Sequence, residues 1–307
     1  MMFVLTRRGA AAAALGLALG GRLPPARAQA QLLTRPPSLD ATSAPVRDAL
    51  RALETKSGGR LGVAAVDTGS GHWIGHRAEE RFAMCSTHKF LTAAAILSLV
   101  DQGRLTLDQR VSYDRTELLD YAPVASKNVD AGFMTVDALC AAAVGWSDNT
   151  ANNLLLGLLG GPEGWTRYAR QIGDAISQLD RIEPTLNTAI PGDPRDTTTP
   201  DVMVRNLDVV LLDNALSDAS RTRLESWMAG NTVTASLLPA GLPAGWRVSD
   251  KSGAGQNGTR NDIGAIRPPK AAPILAAVYC TESMLPPASR DGLIADVGRI
   301  IAQVLGG

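Results

Sequence analysis

The sequence is poor in the residues that most often declare a function. Aromatic residues fill 4% of its 307 positions, too few for the stacking platforms that hold single-stranded nucleic acid. The three histidines, His72, His76 and His88, form neither an H-x-H-x-D nor an H-E-x-x-H pattern, so no metal site and no cofactor is expected. Three cysteines cannot make a disulfide-dense scaffold, and their odd number leaves at least one thiol free. Neither sign of charge is in excess, since 30 basic residues balance 30 acidic ones. A nucleic-acid partner is thereby excluded, because phosphate binding needs a clustered basic surplus. What is present, 45% apolar residues, is enough to bury a core. The length suits one large domain or two modest ones.

The neutrality is uneven. Residues 1–30 hold Arg7, Arg8, Arg22 and Arg27 and no acid, which leaves 26 basic against 30 acidic residues in the remainder. Between Arg8 and Arg22 runs the apolar stretch Gly9–Gly21, too short to span a bilayer as a helix. A basic start, a short apolar stretch and an Ala-x-Ala ending mark a secretory signal. Cleavage is expected after Ala28 or after Ala30. The pair Arg7-Arg8 after Thr6 also fits a twin-arginine signal. Export to the periplasm is expected by the Tat or the Sec route, with no membrane attachment once the signal is removed.

The remaining chain divides by periodicity and breakers. Residues 45–56 carry Val46, Leu50 and Leu53 at helical spacing. Strand-like runs Leu61–Val66 and His72–His76 follow, joined by the turn sequence Asp67-Thr68-Gly69-Ser70-Gly71. From Thr87 to Val100 the pattern is apolar on every side, as in a helix buried all round, and Gly103 suits its end. Helices are expected over 135–144, 149–160 and 163–172, with Gly160-Gly161-Pro162 separating the last two. Residues 181–196 contain Pro184, Pro191, Gly192 and Pro194 and are expected to be irregular. Helical patterns return from Asp201 and at Ser217–Met228. Strand-like runs Trp246–Asp250, Asn261–Ile266 and Pro273–Thr281 precede a closing helix over 288–305. This order predicts an α+β fold: an antiparallel sheet flanked by helices, with an inserted all-α domain and a cleft between the two. The expected boundaries are 31–85 with 230–307 for the sheet domain, and 86–229 for the helical domain.

Three short motifs carry chemistry. In Ser86-Thr87-His88-Lys89, serine and lysine three apart share a helix face, so the amine reaches the hydroxyl. Free N–H groups at the helix start suit a developing oxyanion, and burial makes lysine a readier base. Ser147-Asp148-Asn149 lies at a boundary between helices, where Ser and Asp are also ordinary N-caps. Lys251-Ser252-Gly253 closes the run Trp246–Asp250, where a solvated lysine is equally ordinary. Each motif alone is commonplace; the three in this order are not.

In this order and setting, S-x-x-K, S-D-N and K-[ST]-G resemble the signature set of class A serine β-lactamases and penicillin-binding proteins. The resemblance runs over the chain beyond the signal. One departure is Lys-Ser-Gly where Lys-Thr-Gly is usual, which keeps the hydroxyl. Arg181-Ile182-Glu183-Pro184-Thr185-Leu186-Asn187 decides between the two groups, since penicillin-binding proteins lack this glutamate loop. Its span to Asp196 fits a compact Ω-loop over 181–196, and Arg181 and Asp196 at its ends are expected to form an ion pair.

The resemblance implies an enzyme that opens β-lactam antibiotics, penicillins and some cephalosporins, through an acyl-enzyme on Ser86. It implies Lys89 or Glu183 as the base for that attack and Ser147 as proton donor to the lactam nitrogen. Glu183, with Asn187, would prepare the deacylating water, and the Glu183–Pro184 bond would be cis. Asn149 would hold the substrate amide, and Tyr121 would line the entrance. Lys251, Ser252 and Arg260 would take the substrate carboxylate. Gly253 and Ala254 would lie along the bound substrate, with the N–H groups of Ser86 and Ala254 as the oxyanion hole. Cys85 sits where carbapenem-hydrolysing members have a disulfide, but the partner segment reads Ala254-Gly255-Gln256, and Cys140 also lacks its usual mate. No disulfide, and hence no carbapenemase-type staple, is therefore expected, and the enzyme would be a monomer. The alternatives are a sensor acylated once by penicillin, or a D-alanyl-D-alanine peptidase.

Overall fold

The computed structural model describes residues 42–306; the expected export signal lies outside them. Its centre is a five-stranded antiparallel sheet whose outer members come from opposite ends of the chain. The strands are β1 (Arg60–Asp67), β2 (Trp73–His76), β3 (Arg247–Ala254), β4 (Arg260–Arg267) and β5 (Ile274–Thr281), in the order β2-β1-β5-β4-β3. First and last strands pair directly, with Ala64 opposite Ala277. The predicted turn joins β1 to β2: the Asp67 carboxylate accepts from the N–H groups of Gly69 and Ser70.

Residues along β5 are buried at all eight positions, and their alternation shows how the layers form. Ile274, Ala276, Val278 and Cys280 pack with Leu293, Ile294 and Val297 of the closing helix and with Val46 and Leu50 of the first. These helices are Pro287–Leu305 and α1 (Ala44–Ser57). Leu275, Ala277 and Tyr279 face the other way, into the larger cluster built by the intervening helices. At its middle stands α2 (His88–Asp101), with every residue from His88 to Leu97 buried. Around it lie α3 (Val136–Gly145), α4 (Asn149–Leu159), α5 (Gly161–Gln171), α6 (Pro200–Leu211) and α7 (Asp218–Ala229).

Several boundaries differ from the sequence reading. Strand β3 runs on through Ala254, so Lys251-Ser252-Gly253 lies inside an edge strand and not at its end. Ladder pairing with β4, Ser252 opposite Asp262 and Ala254 opposite Arg260, carries the strand past the point where its apolar pattern stops. Only Gly160, at φ +84°, divides α4 from α5. Gly161 and Pro162 form the first turn of α5, where proline's missing N–H costs nothing. Ser86 sits two residues before α2, in the 3₁₀ turn Cys85–Thr87. His76 Nε2 lies 3.0 Å from Glu54 Oε2. Short strand pairs, 82–83 with 197–198 and 110–112 with 133–135, were too brief to carry a periodic signal.

The segment 181–196 is closed as expected. Arg181 Nε lies 2.5 Å from Asp196 Oδ2, while Asp196 Oδ1 accepts from the N–H groups of Asp180 and Arg181 at 2.7 and 2.9 Å. One fully buried carboxylate thus takes three donors, which offsets the cost of burying it. The Glu183–Pro184 bond is cis.

Cys85, Cys140 and Cys280 are free thiols, each buried. Burial raises all three, Cys280 to about 11. Titration with a thiol reagent should therefore find no fast-reacting group in the native protein at neutral pH and three after denaturation. Fewer than three in the denatured protein would mean a disulfide.

Candidate active site

The three motifs and the glutamate loop converge at one end of α2. The turn Cys85–Thr87 presents Ser86, and Lys89, one helical step on, points its amine back: Nζ donates to Ser86 Oγ at 3.0 Å. The same amine lies 2.8 Å from the Ser147 carbonyl, 2.6 Å from Asn149 Oδ1 and 2.9 Å from Glu183 Oε1. Lys89 and the Glu183 carboxylate are both shielded from water, so this is a buried ion pair that survives because every donor is used. Burial lowers the Lys89 pKa against the pull of the glutamate. For Glu183, burial works upward, but the Lys89 charge and the Asn187 hydrogen bond outweigh it and hold the carboxyl low. Asn187 Nδ2 lies 2.5 Å from Glu183 Oε2. Ser86 Oγ is 3.5 Å from Glu183 Oε1, too long for a strong bond.

Ser147 links the two lysines. Its Oγ accepts from Lys251 Nζ at 3.1 Å and lies 3.4 Å from Lys89 Nζ. Lys251 is fully buried, and that burial, followed by the nearby Lys89 charge, brings its pKa down to about 7. Ser147 has φ +56° and Cys85 φ +45°, conformations that cost a residue with a side chain energy and cluster where a fold positions chemistry. Both are held from outside. Asp148 caps α4 through Ala151 N–H and also accepts from Val124 and Ala125 N–H. Asn261 Nδ2 donates to the carbonyls of Ala83 and Met84, and His88 Nδ1 lies 2.7 Å from the Cys85 carbonyl. His88 thus sits buried beneath the serine's turn with its pKa lowered to about 4 by burial.

In front of this assembly lies a cleft of about 330 Å³ lined by Ser86, Tyr121, Ser147, Asn149, Asn187, Val233, Ser252, Gly253, Ala254 and Arg260. Lys89, Glu183 and Lys251 stand behind its wall. Gly255, next to the lining residue Ala254, packs closely: a Cβ there would come within 2.6 Å of Cys85 Sγ and 2.7 Å of the Asn187 carbonyl. Tyr121 is half exposed at the cleft, and its carbonyl accepts from Asn149 N–H. Arg260 reaches the cleft, but not as a free cation, because its Nε lies 2.7 Å from Asp291 Oδ1. A larger cavity of about 490 Å³ lies between residues 172–176 and α6, and none of the three motifs lines it.

Sequence reasoning missed Asn153, Asn261, Val233 and Asp291. Asn153 clamps the glutamate loop from α4, accepting from Glu183 N–H at 3.0 Å and donating to the Glu183 carbonyl at 2.9 Å. Its spacing of four from Asn149, on one helix face, was the available signal. Asn261 and Asp291 become informative only after the strands and the closing helix are assembled.

The chain is similar to known proteins over most of its length. Residues 45–305 match the model of the Beta-lactamase enzyme family. The chain is 46% identical over 272 residues to beta-lactamase CTX-M-97 of Escherichia coli, covering 89% of this chain and 93% of that enzyme. It is 46% identical over 265 residues to beta-lactamase AST-1 of Nocardia asteroides, covering 86% of this chain and 85% of that one. The solved structure of the class A beta-lactamase of the last common ancestor of Gram-negative bacteria (GNCA4) is similar with a TM-score of 0.83 at 53% identity. That match covers 85% of this chain and 99% of the ancestral one.

The Asn153 clamp can be tested directly. Asn153→Ala leaves a buried N–H and carbonyl without partners, a loss of about 2 kcal/mol in stability, with kcat falling more than KM changes. Urea unfolding and steady-state kinetics read both quantities, and an unchanged kcat would deny the clamp any part in placing Glu183.

Proposed function

The chain belongs to the class A serine β-lactamases, and we propose that it hydrolyses penicillins and some cephalosporins through an acyl-enzyme on Ser86, conferring resistance to them. The observation that carries this reading is the position of Glu183, 2.9 Å from Lys89 and bound to Asn187 at the edge of the cleft. Such a carboxylate gives an acyl-enzyme a way out, which a protein that is acylated once does not need.

In this reading Ser86 Oγ attacks the lactam carbonyl, and the oxyanion is met by the N–H groups of Ser86 and Ala254. One such donor is worth about 3 kcal/mol of barrier. Lys89 is the base within direct reach of Ser86. A proton passing from Nζ to Glu183 Oε1 neutralises their ion pair and frees the amine to accept the serine proton. As the ring C–N bond breaks, Ser147 gives its proton to the departing nitrogen and is resupplied by Lys89, with Lys251 on the far side of its hydroxyl. Deacylation follows the reverse logic. Glu183 first returns its proton to the Lys89 amine 2.9 Å away, which restores the ion pair. The carboxylate then takes a proton from a water held with Asn187, the hydroxide attacks the ester, and Ser86 leaves by accepting that proton back from Glu183.

Substrate recognition draws on the remaining lining. Asn149 holds the amide of the substrate side chain, Tyr121 covers the entrance, and Gly253 and Ala254 offer backbone along the bound molecule. Ser252, Lys251 and Arg260 take the carboxylate, for which a planar guanidinium is well matched. Arg260 must share itself with Asp291, which fixes its orientation while reducing its net attraction. We propose further that residues 1–30 direct export to the periplasm by the Tat or Sec route and that the mature enzyme is a monomer. Its 31–85 and 230–307 segments would form one lobe and 86–229 the other.

A chromogenic cephalosporin should be turned over many times, unaffected by chelators, and Ser86→Ala should abolish turnover. Full activity in that variant would refute the assignment; a single burst without turnover in the wild type would mark a sensor. Glu183→Ala should still acylate, because Lys89 loses its counter-charge and burial then favours its neutral form. Hydrolysis should stall, and mass spectrometry should show a lasting covalent adduct. Normal steady-state turnover in Glu183→Ala would remove the glutamate from the mechanism.

A further inference from the structure

Behind the cleft, on the face of β3 opposite to Lys251, lie two carboxyl groups that the reaction does not use. Asp250 and Asp262 stand on neighbouring strands, Asp250 opposite Gly264 and Asp262 opposite Ser252. They are therefore diagonal neighbours on one face of the sheet, within reach of each other. Gly264 keeps that face open, since a Cβ there would come within 2.9 Å of the Asp250 side chain. Both aspartates are buried, and one segment covers both. Thr234 Oγ1 donates to Asp250 Oδ1 at 2.9 Å, and Leu238 N–H donates to Asp262 Oδ2 at 3.2 Å. The remaining oxygens, Asp250 Oδ2 and Asp262 Oδ1, are buried and meet no donor in the protein.

Two anions cannot be buried side by side with an oxygen each unsatisfied, because the desolvation cost and their repulsion add. The charged groups around them are few. Strand β3 supplies Lys251, whose amine is turned to Ser147 on the other side; β4 supplies Arg260, already bound by Asp291 of the closing helix. The covering residues 234–241 carry no charge. A proton is the one donor that satisfies both orphan oxygens.

We propose that Asp250 and Asp262 share a single proton between those two oxygens, and that the one negative charge left on the pair is a positioning element for the ammonium of Lys251. Burial raises both carboxyls, and for Asp262 the Asp250 charge adds to the rise. The pair then behaves as one acid with a bound proton at neutral pH, in the manner of coupled carboxylates. Lys251, itself brought down to about 7 by burial, feels one carboxylate through the strand and not two.

The second half of this inference rests on the reading that Lys251 serves the cleft, and two measurements separate the parts. Infrared spectra at pH 8 should show a protonated-carboxyl C=O stretch in the wild type that is absent in both Asp262→Asn and Asp250→Asn. No such band in the wild type overturns the shared proton, whatever the enzyme hydrolyses. The pH profile of kcat/KM tests the link to Lys251. Each single Asn variant supplies an amide donor and keeps one negative charge, so the alkaline limb should stay in place. The double variant removes the last charge and should move that limb toward acid by about one pH unit. A single variant that moves the limb as far as the double overturns the one-charge pair. A double variant whose limb does not move overturns the role toward Lys251, with the infrared band still deciding the proton. Should one single variant fail to fold, the other gives the same readout.

Discussion

Everything at the site follows from placing the ammonium of Lys89 where water cannot reach it. An isolated buried cation would cost several kcal/mol, so the fold must surround it with acceptors, and those acceptors define the reaction centre. Ser86 Oγ, the Ser147 carbonyl, Asn149 Oδ1 and Glu183 Oε1 all lie within 3.0 Å of one nitrogen. They come from three separate stretches of chain. The apolar walls of α2 bring the amine in, and the four acceptors are then fixed by electrostatics to a common point. The groups that the proposed reaction uses as nucleophile, proton donor, substrate-holding amide and carboxylate base are thereby assembled by satisfying one charge.

Strain is the second cost of this arrangement, and the structure distributes its support. Among the seven described side-chain-bearing residues at positive φ, Cys85, Ser147 and Asp196 each sit where the chain turns to present or close a segment of the site. Each is braced by buried polar groups from elsewhere: Asn261 and His88 beneath Cys85, Asp148 after Ser147, and Arg181 with two N–H groups on Asp196. Such bracing makes the site rigid before substrate arrives, which is what oxyanion stabilisation requires. It also explains why α2 is apolar on all faces: the braces on its surroundings work only if the helix itself cannot shift.

Much of this was legible in the sequence, for reasons that differ by residue. The all-round apolar run gave α2, the Pro- and Gly-rich 181–196 gave an irregular loop, and its opposite end charges gave the Arg181–Asp196 closure. The motifs named Ser86, Lys89, Ser147, Asn149, Glu183, Asn187 and Lys251, which the structure brings into one site. The extension of β3 through Lys251-Ser252-Gly253 was not legible, because the residues are polar and small and the strand is held by ladder pairing rather than pattern. Asn153 and Asn261 were hidden for another reason: each serves backbone groups, and a backbone partner leaves no mark in composition. Asp291 qualifies Arg260 across 31 positions, a separation at which no local rule operates.

The charge balance of the chain, neutral in sum, has a local counterpart with more consequence. Every cation near the cleft has a carboxylate of its own: Lys89 has Glu183, Arg260 has Asp291, and Lys251 has the aspartates behind its strand. A site built only to attract an anion would leave such charges unpaired and would bind substrate and product carboxylate alike. Pairing each cation lowers the attraction of the resting site while keeping the donors in place and aimed. The substrate carboxylate then gains from geometry more than from net charge, and release of the product, which carries one carboxylate more, is not opposed by an excess of positive potential.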